Sequence, residues 1–182
     1  MVPKQVFFTS GVGRHRLKLQ SFEGALREAG IAACNLVNVS SIFPPNCQII
    51  SRANGIKQIR PGEITFCVMA RAESNEPSRR CCAGIGLAVP ASGHNYGYIS
   101  EFHGHGKNRK EVGSLVEDMA ATMLATTLGI EFDPDKAYDE RKEIYRMSGK
   151  IVRTRATVKI ADVHDDELWT TVVAAAVFLS GE

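Results

Sequence analysis

Five segments of this chain have the composition of β-strands, and few helical segments lie between them. Glu63–Arg71, Cys82–Val89 and Asn95–Phe102 lie in the middle of the chain, and Lys150–Ile160 and Leu168–Leu179 lie near its end. Turn-forming residues separate the first three, which predicts hairpins and an antiparallel or mixed sheet. Because strands cluster instead of alternating with helices, the pattern favours an α+β fold over a doubly wound parallel sheet.

The remaining patterns predict two short strands, Val6–Thr9 and Asn35–Val39. They also predict three helices: Ser21–Ala29, Lys110–Leu128 and a charged helix from Asp133-Pro134 to about Met147. Ser21 is the predicted N-cap of the first helix, and Gly30 and Gly129 follow the first two helices. Asp133 as N-cap and proline at the first helical position are typical of a helix start.

Composition narrows the class of protein. A length of 182 residues suggests one domain, 1–182, and a net charge of +2 provides no field that would favour nucleic acid as a partner. The chain contains no apolar run of about 20 residues, the length that would span a membrane. The five cysteines, an odd number without CxxC spacing, argue against a secreted disulfide framework and indicate the cytoplasm.

Two adjacent serines, Ser40 and Ser41, lie where a predicted strand runs into a double proline, in the segment NLVNVSSIFPP. Serine pairs are common in turns, so the pair alone predicts nothing. The context makes it unusual, because Asn35 precedes it and Pro44 and Pro45 follow it.

This segment resembles the self-cleavage site of the pyruvoyl-dependent arginine decarboxylases. The similarity includes the motifs FEGAL at positions 22–26 and YISEF at positions 98–102, and it extends over about Val6–Leu128 and Leu168–Leu179. The resemblance implies a four-layer αββα sandwich, assembled as a trimer or a dimer of trimers with active sites at subunit interfaces. It assigns no role to the charged segment Glu131–Lys150.

The resemblance also implies how the chain becomes active. The Ser41 hydroxyl attacks the Ser40 carbonyl, and the backbone separates into chains 1–40 and 41–182, with a covalent pyruvoyl group at position 41. No external cofactor and no metal are expected. Such a group withdraws electrons from a bound amino acid, as pyridoxal phosphate does in other enzymes, so that arginine loses carbon dioxide and becomes agmatine.

By the same resemblance, Glu101 is the acid that protonates the carbon after decarboxylation, and Asn35 polarises the Ser40 carbonyl during cleavage. Glu101 has to carry its proton at neutral pH, and Tyr98 and Phe102 are candidates for apolar surroundings. An asparagine at a strand edge can also simply satisfy backbone groups.

The substrate pocket implied by the resemblance contains Glu23, whose carboxylate suits the two-pronged hydrogen bonds of a guanidinium. The family more usually has aspartate there, which leaves pocket depth and substrate choice open. Glu23 can equally be a first-turn carboxylate that complements the helix dipole. The other implied pocket residues are apolar or weakly polar and can equally be core residues: Leu19, Leu26, Ala32 and Cys34.

Three alternatives remain open from the sequence. The chain could decarboxylate another amino acid, such as histidine or lysine, or it could be an uncleaved binding protein in which Ser40–Ser41 is an ordinary turn. His103 and His105 could also bind a metal together with Glu101, although a solvated turn explains this Gly-rich segment better. The stretch from Ser10 to Gly13 is a weak nucleotide motif, since it lacks the third glycine and the phosphate-loop lysine.

Overall fold

A computed structural model describes residues 1–164 and 167–180 of the chain. The strands are β1 (Gln5–His15), β2 (Asn35–Asn38), β3 (Ile42–Phe43), β4 (Gln48–Ile49), β5 (Ile64–Ser74), β6 (Arg80–Pro90), β7 (Gly97–His105), β8 (Ile151–Asp162) and β9 (Trp169–Leu179). The helices are α1 (Lys18–Ala29), α2 (Arg52–Gln58), α3 (Arg109–Thr127) and α4 (Tyr138–Met147). The fold is mixed α+β, as the clustered strand patterns predict.

The strands form two sheets. Sheet A has the order β2-β5-β9-β1-β4, and sheet B has the order β3-β7-β6-β8. In sheet A, β9 is antiparallel to both β1 and β5, whereas β2 runs parallel to β5. Sheet B is antiparallel throughout. The short strands β2 and β3, which follow one another in the chain, each form an edge of a different sheet.

Alternation along the strands explains how the helices and sheets pack. One buried cluster joins the two sheets and includes Phe8 of β1, Ala174 of β9 and Ile85 of β6. The opposite face of sheet A packs against α1, and the opposite face of sheet B packs against α3. Because β9 contacts both α1 and the second sheet, ten of its eleven residues are buried, as its apolar sequence predicts.

The glycines near the N-terminus allow α1 to lie directly on β1. A Cβ added at Gly11 would lie 2.1 Å from the Ala25 carbonyl oxygen, and one at Gly13 would lie 2.0 Å from the Ser21 carbonyl oxygen. The Ser10–Gly13 stretch is therefore a surface for helix packing inside a long strand, and the predicted strand Val6–Thr9 was too short.

Two predicted helix starts are wrong. Helix α1 begins at Lys18, with Leu17 as N-cap, and Ser21 is buried inside it. The Ser21 hydroxyl donates to the Lys18 carbonyl and lies 2.6 Å from the Thr171 hydroxyl of β9, so this serine ties the helix to the sheet. Helix α4 begins at Tyr138, because Asp133 accepts from the Asp135 amide in a local turn and does not cap a helix.

The predicted hairpin between Cys82–Val89 and Asn95–Phe102 is correct, since β6 pairs with β7. The predicted hairpin before it is wrong. Strand β5 pairs with β2 and β9 in sheet A, and the chain then crosses to sheet B to form β6. Turn residues predict where a chain reverses but not which strand it will pair with. In the described ranges, no helix combines the length and apolar character needed to cross a membrane.

Candidate active site

The Ser40–Ser41 peptide bond connects the edge strand of sheet A to the edge strand of sheet B. On one side, the Val39 amide donates to the Cys67 carbonyl of β5 at 2.9 Å. On the other side, the Ile99 amide of β7 donates to the Ser41 carbonyl at 2.8 Å. Both flanks of the bond are therefore held by different sheets, and each would stay in place if the bond were cut.

The chain bends at this bond. The Ile42 amide donates to the Ser40 carbonyl oxygen at 3.0 Å, which closes a three-residue turn around Ser41. Ser40 is exposed and Ser41 is half-buried. The carbonyl that a self-cleaving chain would attack is thus oriented by a backbone amide.

Glu101 lies on the strand next to this bond. Ile42 is paired with Tyr98 in the antiparallel register of β3 and β7, and Ile99 bonds to Ser41. Glu101 follows Ile99 by two residues, so its side chain emerges on the same face about 7 Å farther along β7. Its side chain is exposed in the single chain.

A buried thiol lies beneath the end of β2. The Cys67 thiol donates to the Asn38 side-chain oxygen at 3.5 Å. Burial raises the pKa of this thiol to about 11, with smaller contributions from Cys34 and from the Glu101 carboxylate. Cys67 is therefore a neutral hydrogen-bond donor at neutral pH.

Asn35 does not contact Ser40 in this structure. Its side-chain amide donates to the Gly62 carbonyl at 2.8 Å, and its backbone amide donates to the Glu63 carbonyl at 2.8 Å. Asn35 begins β2 and precedes Ser40 by five residues, or roughly 15 Å of extended chain. Within one chain, it is the Ile42 amide, and not the Asn35 side chain, that contacts the Ser40 carbonyl.

The residues predicted to bind substrate form a second group, around α1. Glu23 is ion-paired with Arg27 on the exposed side of this helix, and Leu19 is 74% exposed. Leu26 packs beneath the helix, whereas Ala32 and Cys34 are half-buried in the segment that leads to β2. Helix α1 packs on β1 and β9, and β5 separates β9 from β2. One chain therefore does not bring Glu23 to Ser41 and Glu101.

The serines are held by backbone groups of Ile42, Cys67 and Ile99, which the residue patterns do not predict. Backbone amides and carbonyls belong to every residue type, so no residue pattern marks them. The strand register, with β2 beside β5 and β3 beside β7, places Cys67 and Ile99 there, and the local turn at Ser41 places the Ile42 amide.

Two further features lie apart from the serine pair. His103 and His105 are exposed on β7, and the described residues contain no group of three or more metal-ligating side chains. An open cavity of about 1180 Å³ is lined mainly by polar side chains, and it includes none of the predicted site residues.

Comparison with known proteins identifies the group to which this architecture belongs. The family model described as pyruvoyl-dependent arginine decarboxylase matches residues 5–182. The chain belongs to the pyruvoyl-dependent arginine decarboxylase family.

Related members of this family align over nearly their whole length. The chain is 55% identical to a probable pyruvoyl-dependent arginine decarboxylase of Chloroherpeton thalassium, over 98% of each chain. It is 51% identical to the pyruvoyl-dependent arginine decarboxylase of Methanococcoides burtonii, over 98% of this chain and 99% of that one. It is 49% identical to pyruvoyl-dependent arginine decarboxylase 2 of Methanosarcina mazei, over the full length of both.

The geometry at position 41 fits the covalent pyruvoyl group on which this family depends. The residue is a serine, from which the group can form, and the Ile99 amide holds its carbonyl from outside the cleaved bond. Position 41 would thus remain fixed on sheet B after cleavage.

Proposed function

We propose that this chain is an L-arginine decarboxylase that cuts its own backbone between Ser40 and Ser41 and then converts arginine to agmatine and carbon dioxide. The observation that carries the proposal is the placement of the bond between two edge strands, with Glu101 on the adjacent strand. Chains 1–40 and 41–182 would remain one folded unit, because β1, α1 and β2 are built into the sheet A side of the molecule.

In this proposal the cleavage begins when the Ser41 hydroxyl oxygen attacks the Ser40 carbonyl carbon. The C–N bond to Ser41 breaks, the nitrogen takes up the hydroxyl proton, and an ester joins the two residues. The Ile42 amide, 3.0 Å from the Ser40 carbonyl oxygen, holds that carbonyl before the attack. Asn35 contributes by positioning, because its bond to Gly62 secures the start of β2.

The ester then breaks by elimination, in which residue 41 loses its Cα proton, chain 1–40 leaves with a free carboxylate at Ser40, and position 41 becomes dehydroalanine. Hydrolysis of that residue by water releases ammonia and leaves the pyruvoyl group, which would supply an electron sink for the loss of carbon dioxide. Glu101 then delivers a proton to the carbon that has lost its carboxylate. Glu23 accepts the substrate guanidinium, with Leu19, Leu26, Ala32 and Cys34 around it. Glu23 and Glu101 lie apart from each other within a single chain. In this proposal a neighbouring copy of the chain therefore completes the site.

Exposed apolar side chains support a trimer or a dimer of trimers with sites between subunits. Val37, Val39 and Ile42 flank the serine pair and are 39%, 37% and 41% exposed. Apolar residues along an unpaired edge strand favour contact with another chain. We also propose that each chain is a four-layer αββα sandwich, with the layers in the order α1, sheet A, sheet B and α3. The three buried clusters that join these elements support this order.

We place the protein in the cytoplasm. The five cysteines are free thiols in the structure, which supports a reducing compartment.

The decisive experiment is a denaturing gel or intact mass of the purified protein, with a carbon dioxide release assay on arginine, histidine and lysine. We expect two chains that meet between Ser40 and Ser41, and activity on arginine above the other two. Ser41→Ala should remain one chain of 19.9 kDa without activity, whereas Ser92→Ala, at an exposed turn, should cleave normally. A wild-type chain that stays intact after long incubation would overturn the proposal.

A further inference from the structure

The charged segment to which the family resemblance assigns no role contains α4, and a buried ion pair holds this helix. The Arg141 guanidinium donates to the Asp118 carboxylate of α3 at 2.6 Å and to the Thr122 hydroxyl at 2.9 Å. Tyr145 is 2% exposed and meets Phe132 edge to face. These contacts hold helix α4 against α3 on the outer side of sheet B.

A cavity of about 220 Å³ lies between α4 and β8. Three of its lining side chains are cations, Lys142 and Arg146 from the helix and Arg153 from the strand. The rest of the wall is Tyr145, Ile151 and Thr154. A cavity of this size is smaller than the pockets of drug-sized ligands, so it suits a small ion or molecule.

The positive charge at this cavity is only partly compensated. Lys142 is paired with the Glu117 carboxylate at 2.9 Å, and the same oxygen also accepts from Thr154 at 3.1 Å and from Tyr138 at 3.4 Å. In the ranges 1–164 and 167–180, Arg146 and Arg153 take part in none of the ion pairs between side chains. Cations that converge on a concave surface create a local positive potential, and guanidinium groups match the geometry of oxyanions.

We infer that the α4–β8 cavity binds a small multivalent oxyanion of the phosphate class, held by Lys142, Arg146 and Arg153. The cavity is remote from the self-cleavage bond, because β8 and β3 form opposite edges of sheet B. The inference therefore does not depend on the proposed decarboxylase activity, and its test needs no activity measurement.

The test uses the purified wild-type protein and inorganic pyrophosphate, with ionic strength held constant by chloride. We expect a saturable rise in melting temperature, about 5 °C at a hundredfold excess over Kd. The Arg146→Gln/Arg153→Gln variant should bind about tenfold more weakly or worse, since two charge-assisted contacts are lost. The control Lys107→Gln/Lys110→Gln removes equal charge at exposed positions before and within α3, and it should respond like the wild type.

An equal rise in all three proteins would show general salt stabilisation and overturn the inference. A wild-type Kd weaker than about 10 mM would do the same. If the double variant does not fold, Arg153→Gln alone, at an exposed position of β8, is titrated by calorimetry. Unchanged affinity in that variant would also contradict the site.

Discussion

At the level of single residues, the serine pair differs from an ordinary turn because backbone hydrogen bonds to two different sheets hold it on both sides. Ser40 and Ser41 lie between two anchored backbone groups, Val39 on Cys67 and Ser41 on Ile99. A cut there would release a turn without unpairing either sheet. The same arrangement places position 41 beside Ile99, two residues before Glu101 on β7, so the residues proposed for cleavage and for proton delivery lie along the same pair of strands.

Glu101→Gln separates these two steps. The amide cannot deliver the proton, so decarboxylation of arginine should fall by at least about 100-fold, while cleavage into two chains proceeds normally. The measurements are carbon dioxide release and a denaturing gel of the same sample. Glu76→Gln, at an exposed turn where Glu76 pairs with Arg79, is the control and should keep the wild-type rate. A wild-type rate in Glu101→Gln would exclude Glu101 as the acid.

At the level of elements, close contact between helix and sheet depends on glycine. A Cβ added at Gly86 of β6 would lie 2.0 Å from the Val116 carbonyl oxygen of α3. That neighbour is backbone and cannot turn away, so α3 would have to shift. In contrast, a Cβ added at Gly113, inside α3, would be 3.8 Å from its nearest neighbour.

We therefore expect Gly86→Ala to lower the free energy of unfolding by about 1–3 kcal/mol or more. Gly113→Ala should raise it by about 0.5–1 kcal/mol, because alanine favours the helix and has room. Urea denaturation of both variants measures the two effects. Equal effects of the two substitutions would show that α3 does not rest on β6 as closely as the structure indicates.

Glu73 at the end of β5 links stability to pH. Burial raises the pKa of its carboxyl, but hydrogen bonds from Lys18 of α1 and from Arg71 outweigh burial, and the net pKa lies below its usual value of 4.5. A folded-state pKa below the unfolded value stabilises the fold above that unfolded pKa. The contribution is lost as pH falls through the folded value.

Stability measured by urea denaturation should therefore decline below pH about 4.5, and Glu73→Gln should decline less steeply over the same interval. The variant should also be less stable than the wild type at pH 7. Glu131→Gln, at an exposed position, is the comparison and should follow the wild-type curve. Parallel curves for Glu73→Gln and the wild type would contradict the link.

At the level of the whole molecule, the proposed site needs two chains. Glu23 is exposed on α1, away from the edge where Ser41 and Glu101 lie, and the apolar side chains beside the serines are unprotected in a single chain. A neighbouring copy that covered this edge would both bury those side chains and bring its own α1 to the site.

Mixed assemblies test this arrangement. Glu23→Gln and Glu101→Gln should each be nearly inactive alone, and co-expression should restore roughly a quarter of the wild-type activity, since random mixing pairs two intact contributions at that frequency. Co-expression of Glu101→Gln with Ser41→Ala should restore nothing, because both residues come from the same chain. Restoration in the second mixture, or none in the first, would contradict a shared site.

The elements that could be predicted are those with strong local patterns. The stripe of α3, the apolar run of β9 and the hairpin of β6 and β7 were all evident, because periodicity and turn residues act over a few positions. The predicted start of α1 is wrong because Ser21 has the chemistry of an N-cap but bonds to Thr171 of β9, a partner 150 residues away. The predicted hairpin between β5 and β6 is wrong for a similar reason, since local turn chemistry does not specify the partner strand.

The family and the position of the serine pair follow from the amino-acid sequence alone, because the motif around the pair, from Asn35 to Pro45, consists of particular side chains in a particular order. What required the tertiary structure is which groups surround them. Cys67, Ile99 and Ile42 act through backbone atoms that every residue has. The pairing of β2 with β5 and of β3 with β7 brings Cys67 and Ile99 to the two sides of the bond, and the turn at Ser41 brings the Ile42 amide to the Ser40 carbonyl. The separation of Glu23 from Glu101 likewise appears only in three dimensions, because it depends on α1 packing over β1 and β9 while the serines lie at an edge of each sheet.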